Sequence, residues 1–247
     1  MYWPREISER DHEIQNPFSP DKIRRLGEYL GLSTASRVLD VACGTGGPAR
    51  ILASTHGCHI TGIEIQPEFA DIARARTEAA GLGSLIHVET SDASEVAFDA
   101  DTFDTALCLG AGFVWGTIAD AAAVLRPIVP TGGFVAIGEP CWRQWPLPDE
   151  VANDQEFGRH DGFTGLAETV ARFEQSGFAI TGVIGASVED WDHYRSLQWR
   201  SIEEWLAKNP DHPHAREVRA EHKRRKNSYF RFERALLGDA IFVGRKT

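Results

Sequence analysis

Asp40, Gly44, Gly46, Glu64 and Asp92 are the residues whose types and spacing point to ligand chemistry. In Val38-Leu39-Asp40-Val41-Ala42-Cys43-Gly44-Thr45-Gly46-Gly47 an acidic side chain lies within an apolar run, and a glycine-rich stretch follows. Glycine permits a tight turn and lets a ligand approach the backbone closely. A helix that starts after such a turn offers unpaired N–H groups and the positive end of its dipole, where a carboxylate or phosphate can sit. Glu64 follows Gly46 by 18 residues, and an acidic side chain there can accept hydrogen bonds from ribose hydroxyls. Asp92, in Ser91-Asp92-Ala93-Ser94, can accept one from an adenine amino group. The pattern Gly44-x-Gly46-x-x-Ala49 also fits the nicotinamide dinucleotide fingerprint. Asp40 tells against that reading, because a carboxylate four residues before the first glycine is unhelpful to a doubly charged pyrophosphate. A zwitterionic amino-acid tail bearing a sulfonium is a better match, with Asp40 serving the ammonium.

The elements that must position these residues alternate. Strands are expected at 37–42, 59–64, 85–89, 103–109, 133–138 and 178–184, with a last apolar segment at 240–243. Helices are expected at about 21–31, 48–53, 67–80, 117–126 and 164–176, with Ser19 or Asp21 capping the first. Strands alternating with helical segments imply βαβ units and a mainly parallel sheet covered on both faces. Two stretches break the alternation, 139–163 and the long, polar, helix-prone 187–235. Both follow the C-terminal end of an expected strand, where the ligand crevice of an open α/β sheet forms. They are therefore placed over the site.

Asp40-x-x-x-Gly44-x-Gly46 resembles motif I of class I S-adenosylmethionine-dependent methyltransferases, in the variant with Ala42-Cys43 before the first glycine. Ile63-Glu64-Ile65-Gln66 resembles that family's ribose-binding strand end, and Asp92-Ala93 its adenine-binding motif. Phe103-Asp104 resembles the opening of its fourth strand, which here ends at Leu109. Leu125-Arg126-Pro127 followed by Gly132-Gly133-Phe134 resembles the turn before its fifth strand, with Ile128–Thr131 lengthening it. Outside this span, segments such as Glu13-x-x-Asn16-Pro17-Phe18 and Gly138-Glu139-Pro140-x-Trp142-Arg143-Gln144 resemble a group of uncharacterised bacterial members.

The resemblance implies a Rossmann-like, seven-stranded, mostly parallel sheet with its last strand, near 239–245, antiparallel and with helices on both faces. It implies a single domain over 1–247: an N-terminal helical cap at 1–31, a cofactor-binding core at 37–138, and the two insertions as a lid. S-adenosyl-L-methionine would be held by Asp40, Ala42, Cys43, Gly44, Gly46, Glu64, Ile65, Gln66, Asp92, Ala93 and Leu109, and would leave as S-adenosyl-L-homocysteine. The acceptor would be a small molecule. Methyl transfer asks for in-line positioning and, for a protonated acceptor, a base. Glu139 and His12 are the candidates for the base; a structural pair between Glu139 and Arg143 is the alternative for the former. Trp115, Trp142, Arg143 and Tyr194 are the candidates for acceptor contact, with Trp145 and Trp199 completing an aromatic wall. A nicotinamide-dependent oxidoreductase and a non-catalytic module that keeps the cofactor fold are the competing readings.

Composition bounds these expectations. Of 247 residues 42% are hydrophobic and 25% charged, ordinary values for a globular chain. The formal charge is −10. Residues 191–247 hold 13 Lys and Arg against 8 Asp and Glu, and the remainder 13 against 28. An acidic body argues against non-specific nucleic-acid binding, which works by neutralising phosphates. Lys223-Arg224-Arg225-Lys226 lies among acidic residues, as on a solvated helical face. Trp191, Tyr194, Leu197, Ile202, Trp205 and Leu206 recur near helical spacing and read as one lid-helix face packed on the sheet domain. Cys43, Cys58, Cys108 and Cys141 form no C-x-x-C pair, and His212 and His214 have no carboxylate geometry beside them, so no metal site is expected. The first residues contain no apolar core of the secretory type, and no apolar run approaches the ~20 residues of a membrane span. A cytoplasmic monomer or homodimer is expected.

Overall fold

The computed structural model describes residues 3–152 and 162–247. A short helix α1 (Arg5–Ser8) and an irregular segment precede α2 (Pro20–Tyr29). Then follow β1 (Arg37–Val41), α3 (Gly47–His56), β2 (His59–Glu64), α4 (Pro67–Ala79), β3 (Ile86–Thr90), β4 (Thr105–Leu109), α5 (Ile118–Leu125) and β5 (Phe134–Trp142). The remainder is α6 (Asp149–Ala152), α7 (Leu166–Gln175), β6 (Phe178–Gly185), α8 (Val188–Lys208), α9 (Ala215–Ser228), a π-helical turn at Tyr229–Glu233, α10 (Arg234–Leu236) and β7 (Leu237–Lys246).

Local chemistry sets several of these boundaries. The Ser19 side chain accepts from Lys22 N and Pro20 opens α2, where a missing N–H costs nothing. Thr117 with Asp120 and Ser187 with Asp190 form capping boxes at α5 and α8, each satisfying two orphan donors.

The strands form one sheet in the order β3-β2-β1-β4-β5-β7-β6. β7 runs antiparallel to both β5 and β6, and the other pairings are parallel. The strand order reverses between β1 and β4, whose C-terminal ends open the crevice where such sheets take ligands. Alternate residues feed two cores. Val38, Leu107, Ala136 and Ile241 pack under α2 and α3, and Leu39, Cys108, Ile137 and Phe242 pack against α5 and α7.

The fifth strand runs four residues beyond its expected end. Pro140 argued for an insertion there, yet Cys141 and Trp142 pair with Gly238 and Leu237. Gly138 directs its carbonyl to Gly110 N on the β4 side. Pro140, two residues on, faces the same side, where β4 has ended, so its missing N–H removes no ladder bond. The remainder of the expected 139–163 insertion is partly described; residues 153–161 lie outside the described residues.

The expected lid-helix face is divided. Trp191 and Tyr194 pack towards the sheet core. Ile202 and Leu206 instead join Ala215 and Val218 of α9, with Trp3, Ile7 and Trp205 packed against them. A helix of 21 residues outruns the sheet edge and needs a second cover for its apolar face. Among the described residues no helix is long and apolar enough to cross a membrane.

Candidate active site

The turn after β1 carries three residues with left-handed backbone: Ala42 (φ 53°), Gly44 (φ 57°) and Gly46 (φ 73°). An alanine held there costs roughly 1–2 kcal/mol, the kind of strain that clusters at ligand sites. The turn is held by its neighbours. Glu64 Oε2 accepts from Gly44 N at 2.9 Å and Oε1 from Gln66 N at 2.8 Å, so the buried carboxylate is fixed at the end of β2. Arg50 Nη1 donates to Thr45 O and Arg76 Nη1 to Thr45 Oγ1.

Asp40 is 2% exposed and its Oδ2 has no hydrogen-bond partner. Burial, and then the charge of Glu64, push its carboxyl up to about 7. A buried carboxylate with an open oxygen is costly unless a cation or donor meets it. Cys43 is buried, its Sγ in the space a side chain at position 62 would need. Its thiol is pushed up by burial and then by Asp40 and Glu64, which makes it a poor nucleophile. Leu109 closes this end at β4. Beyond β2, Ile65 is exposed. Asp92 Oδ1 accepts from Ser94 N and Oγ, fixing the turn that presents Ala93.

An N-terminal strap lies over the turn. Gln15 Oε1 accepts from Thr45 N at 2.9 Å and fills the space above Gly44. Asn16 Nδ2 donates to Leu109 O at 3.0 Å. A narrow cleft of about 30 Å³ remains between strap and turn, with Asp40, Gly44 and Leu109 in its wall. On the other side of the strap is a pocket of about 480 Å³, closed by α8 through Tyr194 and Leu197. Glu13 and Asn16 line both spaces.

Glu139 stands near the end of β5, its Oε2 beside Gly112. Burial pushes its carboxyl up to about 7. It is not paired with Arg143, whose guanidinium donates to Leu237 O and Ala186 O. Those two carbonyls, rather than an acceptor, occupy the Arg143 donors. On the adjacent strand Asp239 is buried and held well above the usual carboxylate range by burial and then by Glu139.

The other acceptor-side candidates are dispersed. Trp142, expected over the site, is 2% exposed in the core and donates Nε1 to Phe163 O. The reason is its place on the extended β5. Trp115 is half-buried and packs against the core on the opposite sheet face. Trp145 is exposed, and Trp199 stacks on Tyr229 and Phe230, so the four tryptophans form no wall. Tyr194 lines the larger pocket, but its hydroxyl donates to Glu9. His12 lines the same pocket with its Nε2 at 3.0 Å from Tyr194 O and its Nδ1 at 3.5 Å from Glu9.

The contributions of Gln15 and Asn16, and the burial of Glu9, had no spacing signal in the sequence. They depend on where the strap lands. The basic run on α9 is occupied locally, with Arg224 and Arg225 on Glu221 and Lys226 over Trp199. Among the described residues no group of three His, Cys, Asp or Glu could hold a metal ion.

Comparison with known proteins agrees with this geometry. The methyltransferase domain family matches residues 38–130. An uncharacterised Escherichia coli protein, YjhP, is 33% identical over 96% of this chain and 95% of its own length. The 27-O-demethylrifamycin SV methyltransferase of Amycolatopsis mediterranei is 30% identical over 73% of this chain and 65% of its own. A methyltransferase of Thiobacillus denitrificans, solved with S-adenosyl-L-homocysteine, is 31% identical, superposes with a TM-score of 0.90 and is covered over 100% of both chains. The chain belongs to the class I S-adenosylmethionine-dependent methyltransferases.

Proposed function

We propose that this enzyme methylates a small-molecule acceptor seated in the 480 Å³ pocket between the strap and α8. The observation that carries the reading is the shared wall: Glu13 and Asn16 line both this pocket and the cleft at the glycine turn. The volume is typical of small-ligand sites. The related rifamycin enzyme bears a name that denotes a small-molecule acceptor.

The chain's own residues suit the cofactor. The open Oδ2 of buried Asp40 fits an amino-acid ammonium. Glu64, held by two N–H groups, keeps lone pairs for ribose hydroxyls. Gly44, Gly46, Ala42 and Cys43 shape the turn; Ile65, Gln66, Asp92 and Ala93 flank the adenosine side, with Leu109 beneath. Thr45 N–H, which Gln15 Oε1 now accepts from, is a donor that would suit the cofactor carboxylate. S-adenosylmethionine, held by these residues, would supply an electrophilic methyl group to the acceptor. Glu139, which is not among the described residues lining either space, is the proposed base for a proton that the acceptor presents towards β5, and its carboxyl, pushed up to about 7, matches the neutral range where a base works best. Residues between His12 and Pro20 and between Glu189 and Leu197 cover the acceptor, over a core at 37–138.

Incubation with methyl-labelled S-adenosylmethionine and a cell extract tests the acceptor class. Label is expected in the small-molecule fraction. Label only in protein or nucleic acid overturns the reading.

A further inference from the structure

We propose that the 480 Å³ pocket selects acceptors that carry a protonated amine on an apolar body and disfavours anionic ones. The inference rests on the assignment of that pocket to the acceptor. Its walls are apolar where Phe18, Tyr194 and Leu197 face it. Its charged lining is of one sign: Glu13, Glu189 and Asp190, with no Lys or Arg among the described residues that line it.

The three carboxylates differ in commitment. Asp190 is satisfied by Lys22 Nζ and by its own capping box. Lys22 also donates to Gly185 O at 2.8 Å, so this cation is spent on the protein. Glu13 and Glu189 are exposed and make no hydrogen bond or ion pair among the described residues. Glu13 feels the Arg50 guanidinium without touching it.

Two uncommitted carboxylates at its rim give the cavity a negative potential that salt screens. An ammonium entering it is attracted, and a carboxylate or phosphate of the same shape is repelled. The acidic excess of residues 1–190, 28 Asp and Glu against 13 Lys and Arg, adds to that field. Phe18 and Tyr194 add apolar area to the lining.

The test uses three probes of one shape: 2-phenylethylamine, 2-phenylethanol and phenylacetate. Each is titrated into the S-adenosylhomocysteine-bound protein at about pH 8, above the ordinary imidazole range. The amine is expected to bind about tenfold more tightly than phenylacetate, with the alcohol between them. High salt should compress the order, and the double variant E13Q/E189Q should abolish it. The proposal is overturned if the amine does not bind, if phenylacetate or the alcohol binds as well as the amine, or if the order survives E13Q/E189Q. A Tm shift with S-adenosylhomocysteine, measured on each protein, separates the two levels. Where that shift is present but the amine shows no preference, the charge inference fails alone. Where the shift is absent, the cofactor reading fails as well.

Discussion

Replacing Asp40 with Asn weakens S-adenosylhomocysteine binding by about 100-fold, because losing one partner of a buried charge pair costs roughly 2–5 kcal/mol. Asp40 is buried, its Oδ2 is open, and its carboxyl is pushed up to about 7. In the ligand-free protein it is therefore protonated below that pH. In the proposed pairing the cofactor's ammonium requires the carboxylate, so binding is expected to release a proton. Affinity of the native protein rises about tenfold per pH unit up to 7 and then levels. In Asp40→Asn the profile is flat. Stability of the ligand-free protein moves the other way. A carboxyl whose folded value is raised contributes stability that is fully present below its unfolded value near 4 and is lost as pH rises through 7. Asp40→Asn therefore melts at a higher temperature than the native protein at pH 8. Calorimetric titration across pH checks the affinity, and melting curves check the stability. Unchanged affinity with the native pH slope would remove Asp40 from the site.

Glu139→Gln lowers turnover by about 10²–10⁴-fold, the range that a positioned general base supplies, while S-adenosylhomocysteine binding stays at its native strength. The carboxylate stands outside the glycine turn and makes no pair with Arg143. Its raised affinity, about 7 through burial, places the rising limb of kcat/KM near neutrality. The variant loses that limb. It also gains thermal stability above pH 7, since the stability the native carboxyl loses as pH rises from about 4.5 through 7 is no longer lost. A variant that keeps both turnover and the limb, yet gains stability, would leave Glu139 as a buried carboxyl without a chemical part.

The strands from β1 to β5 were legible because their signals are local. β1, β2, β4 and β5 are largely apolar runs, glycines mark the turns after β1 and β4, Asp40 and Glu64 lie at the C-terminal ends of β1 and β2, and Asp92 comes two residues after β3. The resemblance supplied the antiparallel β7, which periodicity does not encode. The acceptor side was not legible for the opposite reason. Whether Trp142 faces a ligand or the core depends on β5 running four residues further, which depends on β7, about a hundred residues away. His12 is a surface-type residue by sequence, and it is buried only because the strap folds under Tyr194. Gln15 and Asn16 gain their roles from Thr45 N and Leu109 O, contacts that no spacing within the strap predicts. Burial itself raises Asp40 and Glu139, and burial is a property of the assembled fold.

The most direct measurement is calorimetric titration of the native protein and Glu64→Ala with S-adenosylhomocysteine, with NADH titrated in parallel. The native protein is expected to bind one S-adenosylhomocysteine and no NADH. Glu64→Ala removes the proposed ribose acceptor and leaves Gly44 N and Gln66 N without theirs, so its affinity is expected to fall by about 100-fold. Binding of NADH in place of S-adenosylhomocysteine, or binding of S-adenosylhomocysteine untouched by Glu64→Ala, would contradict the cofactor site described above.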